Sequence, residues 1–193
     1  MSIETTALYQ EMSRRVPDVP AGPRRLLDDF ERLRIILQEH GKYIVLLFPE
    51  YTPHDHTRHL DHLFALADRV LGTPLYTRLN PSELVLLAFG LYAHDWGMAV
   101  SEAERKSLED GSGGDSFGLL PNEPSIAHEI ISEATLAGIA PEVAWRDYLR
   151  RTHGLRSGAR LRRYLDIMCI ELRNRRLQNG RTRTRTRRAG SCL

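Results

Sequence analysis

Histidine and aspartate are the residues of this sequence best suited to chemistry, and they are unevenly placed. Four of the eight histidines fall within nine residues: His54, His56, His59 and His62. Further along, His94 is followed directly by Asp95, and His128 and His153 lie on later predicted helices. Neutral imidazole and carboxylate together suit first-row divalent cations. The pattern therefore predicts a metal site built from separate parts of the chain.

The carboxylate of Asp95 carries most of this argument. Asp95 is the only charge in the run LLAFGLYAHDWGMAV, and a buried carboxylate is costly unless it is paired or bound to a metal. Adjacent residues on a helix diverge by about 100 degrees, yet both can reach a cation that lies beside the helix near its end. We predict that His94 and Asp95 bind such a cation. The alternatives are a buried ion pair and an aspartate that caps the helix end.

The elements that must position these residues are predicted to be helices, because helical signals recur and no run alternates with period two. Apolar residues at helical spacing predict one helix over 24–47 and another from His59 to a stop at Gly72. The sequence Asn80-Pro81-Ser82-Glu83 predicts the start of a very apolar and therefore central helix. Further helices are predicted over 125–137 and from Pro141 to about His153, with a loop over 109–124. The fold class is all-α, a compact helical bundle.

Composition divides the chain into three segments. We predict a loosely ordered lead-in over 1–23, a helical domain over 24–172, and a low-complexity arginine-rich tail over 173–193 that is disordered from about residue 175. The tail holds eight arginines and no acid or lysine. The whole chain has a net charge of +2, so residues 1–172 have a net charge of 2 − 8 = −6. The basic character is confined to the tail, and a nucleic-acid partner is not favoured over an unstructured end.

Location in the cell is predicted from features that the sequence lacks. No run approaches eighteen apolar residues, and the N-terminus does not have the pattern of a secretory signal. Cys169 and Cys192 form neither a disulfide framework nor a CxxC site. We expect a cytoplasmic protein without a membrane partner.

The arrangement H…HD resembles the HD superfamily of metal-dependent phosphohydrolases. His59 in TRHLDHLFALADRVL matches the first histidine of that family, and LYAHDWGM matches its His-Asp doublet at His94 and Asp95. The strings FPEYTPHDHTRHLDHL and LRRTHGLRS more narrowly resemble HD domains of bacterial proteins that also carry GHKL-type ATPase modules. The second string places His153 toward the site. The resemblance covers roughly residues 45–165.

This resemblance implies both a cofactor and a reaction. His59, His94 and Asp95 would bind one or two divalent cations (Mn, Mg, Fe, Ni, Co or Zn), which activate a water for attack on phosphorus. The substrate would be a phosphorylated small molecule or a nucleotide. The remaining candidates would hold the phosphate and protonate the leaving oxygen, and they share a cationic or proton-carrying side chain: His54, His128, Arg151 and His153. Lys106 ranks lower because SEAERKS reads as a solvated face.

A distal acidic ligand is the part of the family pattern that this sequence matches least well. Asp166 and Glu171 are the only acids after His153. Either Asp166 is the ligand or the chain stops before the true ligand, and the change into RTRTRTRR predicts a truncated or frame-shifted end. Three functions stay open: a phosphohydrolase, a weakly active or inactive nucleotide- or metal-binding module that regulates a partner ATPase domain, and a purely structural helical domain.

Overall fold

The structure is a computed structural model that describes residues 2–16, 24–49, 56–109 and 120–188. These residues form helices joined by turns and contain no strand, so the predicted all-α class is confirmed. The helices are α1 (Ala7–Arg15), α2 (Arg24–Leu47), α3 (His56–Val70), α4 (Gly72–Tyr76), α5 (Pro81–Ala93), α6 (Glu102–Glu109), α7 (Glu123–Leu136) and α8 (Pro141–Arg188). Two short 3₁₀ turns cover Ile3–Thr5 and Trp96–Met98.

Helix α5 lies at the centre of the bundle, as its composition predicted. It begins with the predicted capping box, in which the Asn80 side chain accepts from the Glu83 amide and the Glu83 carboxylate accepts from the Asn80 amide. Its apolar residues pack against α1, α2 and α3, and a helix that is apolar on most sides needs neighbours of this kind. The end of α5 is therefore held in a fixed place among three other helices.

An aromatic cluster joins α2, α3 and α5 close to the end of α5. The Phe30 ring packs at 5.9 Å from Phe64, 5.7 Å from Phe89 and 5.6 Å from Tyr92, measured between centroids. All four side chains are at most 1% exposed. Buried aromatic pairs of this geometry contribute packing energy beyond their area, and they fix the orientation of α3 against α5.

Residues 2–16 contribute to the core, although the sequence predicted a loosely ordered lead-in over 1–23. Residues 7–15 form α1, and Ile3, Leu8, Met12 and Val16 are fully buried. The carboxylate of Asp68 on α3 accepts from the backbone amides of Ala7 and Leu8 at 2.6 and 3.1 Å, so it satisfies amides that have no partner within the first turn of α1. The cluster of Pro and Gly over 17–23 that suggested a loose segment lies outside the described residues.

The C-terminal part also differs from the prediction. Helix α8 was expected to end near His153, followed by disorder from about residue 175, but it continues to Arg188. The chain divides into two units, Met1–Arg160 and Leu161–Leu193. In the second unit the described residues are helical throughout. Arginine has a high helix propensity and Gly180 alone is a weak stop, so low complexity did not exclude a helix here.

Within the described residues, no single helix has the length and apolar character needed to cross a membrane. One bent pair, Pro81–Met98 with Glu102–Glu109, passes on length and composition, with a bend of 60° between its parts.

Candidate metal centre

Two elements bring the candidate ligands together. His59 lies in the first turn of α3, while His94 and Asp95 follow the last residue of α5. Asp95 has φ −96° and ψ 2°, in the bridge region where chains turn and where many active-site residues are found. The doublet therefore sits in a turn at the helix end, and Asp95 is half-buried, with a side-chain exposure of 21%, instead of fully buried as expected.

The distances among the three groups suit a shared cation. Asp95 Oδ2 lies 2.8 Å from His94 Nε2 and 3.5 Å from His59 Nε2. The two Nε2 atoms are 3.5 Å apart. Two donors bound to one cation at about 2.0–2.1 Å are separated by roughly 2.9–3.4 Å in octahedral or tetrahedral sites. Among the described residues these three form the one group of His, Cys, Asp and Glu side chains close enough to bind a metal.

The protonation of His94 supports the same conclusion. Its Nδ1 lies 3.0 Å from the Leu91 carbonyl oxygen, so Nδ1 must carry the proton that this hydrogen bond needs. In the neutral ring Nε2 then presents a lone pair toward Asp95, which is also an acceptor. Two acceptors at 2.8 Å require a positive charge between them, either a proton or a metal ion. The donor set thus fits a divalent cation.

The electrostatics of these side chains agree with this geometry. Burial alone would raise the pKa of Asp95, but the hydrogen bond and charge of His94, with the charges of His59 and His153, lower it below its ordinary value. Burial likewise opposes the charged form of His94, yet its interactions with Asp95 and the Leu91 carbonyl raise the pKa of the imidazole. The interactions that favour a proton between these two ligand atoms would equally favour a metal ion there.

His153 approaches the same carboxylate from α8. Its Nε2 lies 3.8 Å from Asp95 Oδ1, the oxygen that does not face His94. Its Nδ1 lies 2.6 Å from the Arg150 carbonyl oxygen, which fixes the ring and leaves Nε2 directed toward Asp95. The side chain is 37% exposed, so it remains accessible to a ligand from solvent. The structure thus brings His153 to the side of the cluster, while its catalytic role stays a prediction.

The turn that holds the doublet is bonded to one face of α8. Ser157 Oγ accepts from the Gly97 amide at 2.7 Å and donates to the His94 carbonyl at 2.6 Å. Arg156 Nε donates to the Gly97 carbonyl at 2.8 Å, and Arg160 donates to the Trp96 carbonyl at 2.9 Å. Three side chains of α8 therefore bond to backbone groups of His94, Trp96 and Gly97.

Two buried carboxylates neutralise these arginines. Arg156 is fully buried and pairs with Glu104 at 2.5 Å and with Glu123. Arg160 pairs with Glu104 at 2.7 Å, and the Tyr148 hydroxyl donates to Glu123 at 3.1 Å. An unpaired buried charge is very costly. The carboxylates that α6 and α7 supply therefore offset the cost of burying the two arginines next to the turn.

The described contacts of His128 and Arg151 are with groups outside this cluster. His128 is exposed, and its Nδ1 lies 2.7 Å from the Glu109 carbonyl oxygen. Arg151 is 77% exposed and pairs with Asp147 on its own helix at 2.7 Å. His54 lies outside the described residues. Catalytic roles for His54, His128 and Arg151 stay predictions.

Three residues of lower rank are also located. His62 is exposed on α3, one turn after His59. Lys106 is exposed on α6, as expected for SEAERKS, but Glu104 of the same stretch is only 6% exposed. Asp166 is exposed and belongs to the second unit. Its role as a distal ligand stays a prediction.

Sequence reasoning missed the groups that support the site. Glu104, Glu123, Arg156, Ser157 and Arg160 were not singled out, although all contact the turn of the doublet or neutralise a group that does. Arg156, Ser157 and Arg160 lie close together on a single helix. Charged residues on a helix are usually solvated, however, so nothing in the sequence distinguished these from surface residues.

An all-α bundle with a histidine and a His-Asp doublet converging from two helices defines an HD-type domain. The family model described as HD-CE matches residues 48–187, which is more than half of the chain. The chain therefore belongs to the HD-CE family. No curated protein and no solved structure matches it.

Proposed function

We propose that this protein is a metal-dependent phosphohydrolase that acts on a phosphomonoester, a phosphodiester or a nucleotide. The observation that carries the proposal is the convergence of His59, His94 and Asp95, with ligand atoms 2.8–3.5 Å apart. Membership of the HD-CE family supports it. When bound, a divalent cation supplies Lewis acidity toward a phosphoryl oxygen and makes a water acidic enough to attack at neutral pH.

The residues of the chain have separate tasks in this proposal. His94 presents a lone pair at Nε2 because the Leu91 carbonyl holds the proton on Nδ1. His59 supplies a second imidazole from α3, and Asp95 supplies the anionic ligand that offsets the charge of the cation. Three protein ligands leave open positions for water and substrate, as in catalytic metal sites generally.

His153 is the proposed proton donor to the leaving oxygen. The Arg150 carbonyl fixes its Nδ1 at 2.6 Å, so the exchangeable proton of the imidazolium is on Nε2, on the side of Asp95. A protonated Nε2 would also attract a phosphate oxygen. A general acid contributes typically about 10²–10⁴-fold to rate, so His153 adds to the metal chemistry without replacing it.

The test uses the full chain and the Asp95→Asn variant. Wild-type protein, loaded with Mn²⁺, is expected to bind metal and to hydrolyse bis-p-nitrophenyl phosphate, p-nitrophenyl phosphate or a nucleotide. Replacing a direct ligand should weaken Mn²⁺ binding by at least about 100-fold, since even outer partners of ligands cost about 10–100-fold. His62→Gln is the matched control, because it removes an exposed histidine of the same helix as His59. Full metal affinity in Asp95→Asn would overturn the proposal.

A regulatory module that binds metal or nucleotide without turnover is the second candidate. Among the described residues, the group that could bind a metal consists of His59, His94 and Asp95 and includes no acid from later in the chain. Asp166, the candidate for that acid, is exposed and belongs to the second unit. Such a module would control a partner ATPase domain. Stoichiometric Mn²⁺ binding with no hydrolysis of any of the three substrate types would favour this candidate over the hydrolase.

A further inference from the structure

The turn over residues 94–97 needs an external support because it follows the end of a helix. Carbonyl groups at a helix C-terminus have no partner within the helix, and the doublet lies where this deficit occurs. Both ring nitrogens of His94 have partners, the Leu91 carbonyl and the Asp95 carboxylate. The His94 side chain therefore does not serve as the partner of its own carbonyl group. Among the described residues, the His94 carbonyl and the Gly97 amide and carbonyl have partners on α8.

Ser157 contacts both ends of the turn with a single oxygen. Its hydroxyl donates to the His94 carbonyl at 2.6 Å and accepts from the Gly97 amide at 2.7 Å, and the residue is only 5% exposed. These two bonds fix the distance between His94 and Gly97, the residues on either side of Asp95 and Trp96. A change in that distance would rotate the Asp95 carboxylate relative to His94 and His59.

Gly97 shows that the approach of α8 to the turn is close. A Cβ at this position would lie 2.1 Å from the His153 carbonyl oxygen and 2.8 Å from the Ser157 amide nitrogen. The backbone of α8 therefore contacts the turn directly over the same residues that carry His153 and Ser157. The position of the carboxylate and the position of His153 are set by one interface.

We propose that Ser157 is a positioning residue, whose hydroxyl joins the His94 carbonyl to the Gly97 amide and so holds Asp95 where it can share a cation with His59. This inference rests on the metal site of the proposed function. Ser157 acts through the backbone and does not contact the reacting atoms. Arg156 and Arg160 bond to the neighbouring carbonyls, but their loss would also remove ion pairs with buried carboxylates, so Ser157 is the residue that isolates the effect.

The experiment compares Ser157→Ala with Thr152→Val in the full chain. Both changes remove one hydroxyl from α8, but the Thr152 hydroxyl donates within its own helix, to the Tyr148 carbonyl at 2.8 Å. Mn²⁺ affinity is measured by titration and the ligand geometry by the visible spectrum of the Co²⁺ form. Amide hydrogen exchange over residues 94–98 is followed without metal.

Ser157→Ala is expected to raise the Mn²⁺ dissociation constant by about 10–100-fold, the range for lost outer partners of metal ligands. The Co²⁺ spectrum should change, and exchange over residues 94–98 should accelerate. Thr152→Val should leave all three readouts at wild-type values, and Ser157→Thr, which keeps the hydroxyl, should recover most of the affinity.

The outcomes separate this inference from the proposed function. Wild-type Mn²⁺ affinity and Co²⁺ spectrum in Ser157→Ala would overturn the positioning role, whatever the exchange data show. Unchanged exchange over residues 94–98 would overturn the support of the turn itself. If wild-type protein binds no Mn²⁺ while Ser157→Ala still accelerates exchange, the metal site fails and the support of the turn stands.

Discussion

His94 illustrates how much of this site is decided by single atoms. Both of its ring nitrogens are used, Nδ1 toward the Leu91 carbonyl at 3.0 Å and Nε2 toward Asp95 at 2.8 Å. The first contact selects the tautomer, and the tautomer decides whether Nε2 can bind a cation. His153 repeats this arrangement with the Arg150 carbonyl. Backbone carbonyls thus prepare two imidazoles that come from different helices.

At the scale of the residue, His153→Gln tests the proposed proton donor. We expect kcat to fall by about 10²–10⁴-fold, because glutamine can hydrogen-bond but cannot donate a proton at neutral pH. The Mn²⁺ content per chain should stay at the wild-type value. Parallel measurement of kcat and bound metal checks this, with His62→Gln as the control for loss of a histidine. A joint fall of metal content and kcat would instead make His153 a ligand.

At the scale of the element, the end of α5 is held from two sides. Helix α8 bonds to the turn after it, and His40 on α2 accepts from the Trp96 indole nitrogen at 2.8 Å. Trp96 directly follows Asp95, so α2 and α8 together fix the chain on the far side of the doublet. The site is therefore a junction of α2, α3, α5 and α8, and its geometry depends on how these helices pack.

Gly97, in the turn after α5, and Gly90, within α5, give a matched test of the contact between α8 and the turn. Gly97→Ala should destabilise the protein by about 1–3 kcal/mol, because the added Cβ would lie 2.1 Å from the His153 carbonyl oxygen. Gly90→Ala on the same segment meets nothing within 4 Å and should stabilise by about 0.5–1 kcal/mol through helix propensity. Urea unfolding measures both. A Gly97→Ala protein as stable as wild type would show that α8 does not lie against the turn.

The link between α2 and the turn should depend on pH. Burial, followed by the charge of Arg160, lowers the pKa of His40 below 6.5, while Glu104 and Glu39 oppose this and Lys42 adds to it. The unfolded chain therefore takes up a proton at a higher pH than the folded chain does. This contribution to stability is present above about pH 6.5 and is lost as pH falls toward the lower folded-state pKa.

His40→Gln provides the measurement for this pH dependence. Glutamine keeps an acceptor for the Trp96 indole but does not titrate. The urea midpoint of the His40→Gln protein should therefore fall less steeply than that of wild type as the pH is lowered from about 7 to about 5. Equal slopes for the two proteins over this range would show that His40 does not carry the effect.

At the scale of the whole molecule, the N-terminal segment belongs to the folded domain. Helix α1 packs against α3, α4 and α5, and its amides are capped by Asp68 from α3. Arg15 extends the contact by donating to the Tyr76 and Leu79 carbonyls at 2.8 and 2.6 Å. The HD-CE match begins only at residue 48, so the bundle uses residues that precede the matched region to complete its core.

Leu8→Ala measures the contribution of α1 to stability. Leu8 is fully buried, and such truncations cost about 2–5 kcal/mol through lost transfer energy and the cavity left behind. Leu136→Ala is the control, because Leu136 is 88% exposed and its truncation should change stability by less than about 0.5 kcal/mol. Thermal and urea unfolding compare the two. Equal stability of both variants would mean that α1 does not contribute to the core.

Local patterns were sufficient for much of the fold. The helical spacing over 24–47 matched α2 at both ends, and Asn80 to Glu83 form the capping box that their order predicted. Such signals depend on contacts within a few residues, so the sequence displays them directly. The His-Asp doublet was likewise visible, because a lone carboxylate in an apolar run is anomalous without any knowledge of the fold.

Tertiary structure decided what depends on neighbours distant in the chain. The sequence does not distinguish a buried arginine from an exposed one. Arg156 is a core residue beside the doublet because Glu104 and Glu123 pair with it. Arg151 of the same helix is exposed to solvent. The burial of α1 is a property of the helices packed around it. The amino-acid order thus indicated the central helices and the candidate ligands. The packing of α8 on the turn determined how those ligands are supported, because the energy of a buried charge or hydroxyl depends on partners that only folding brings near.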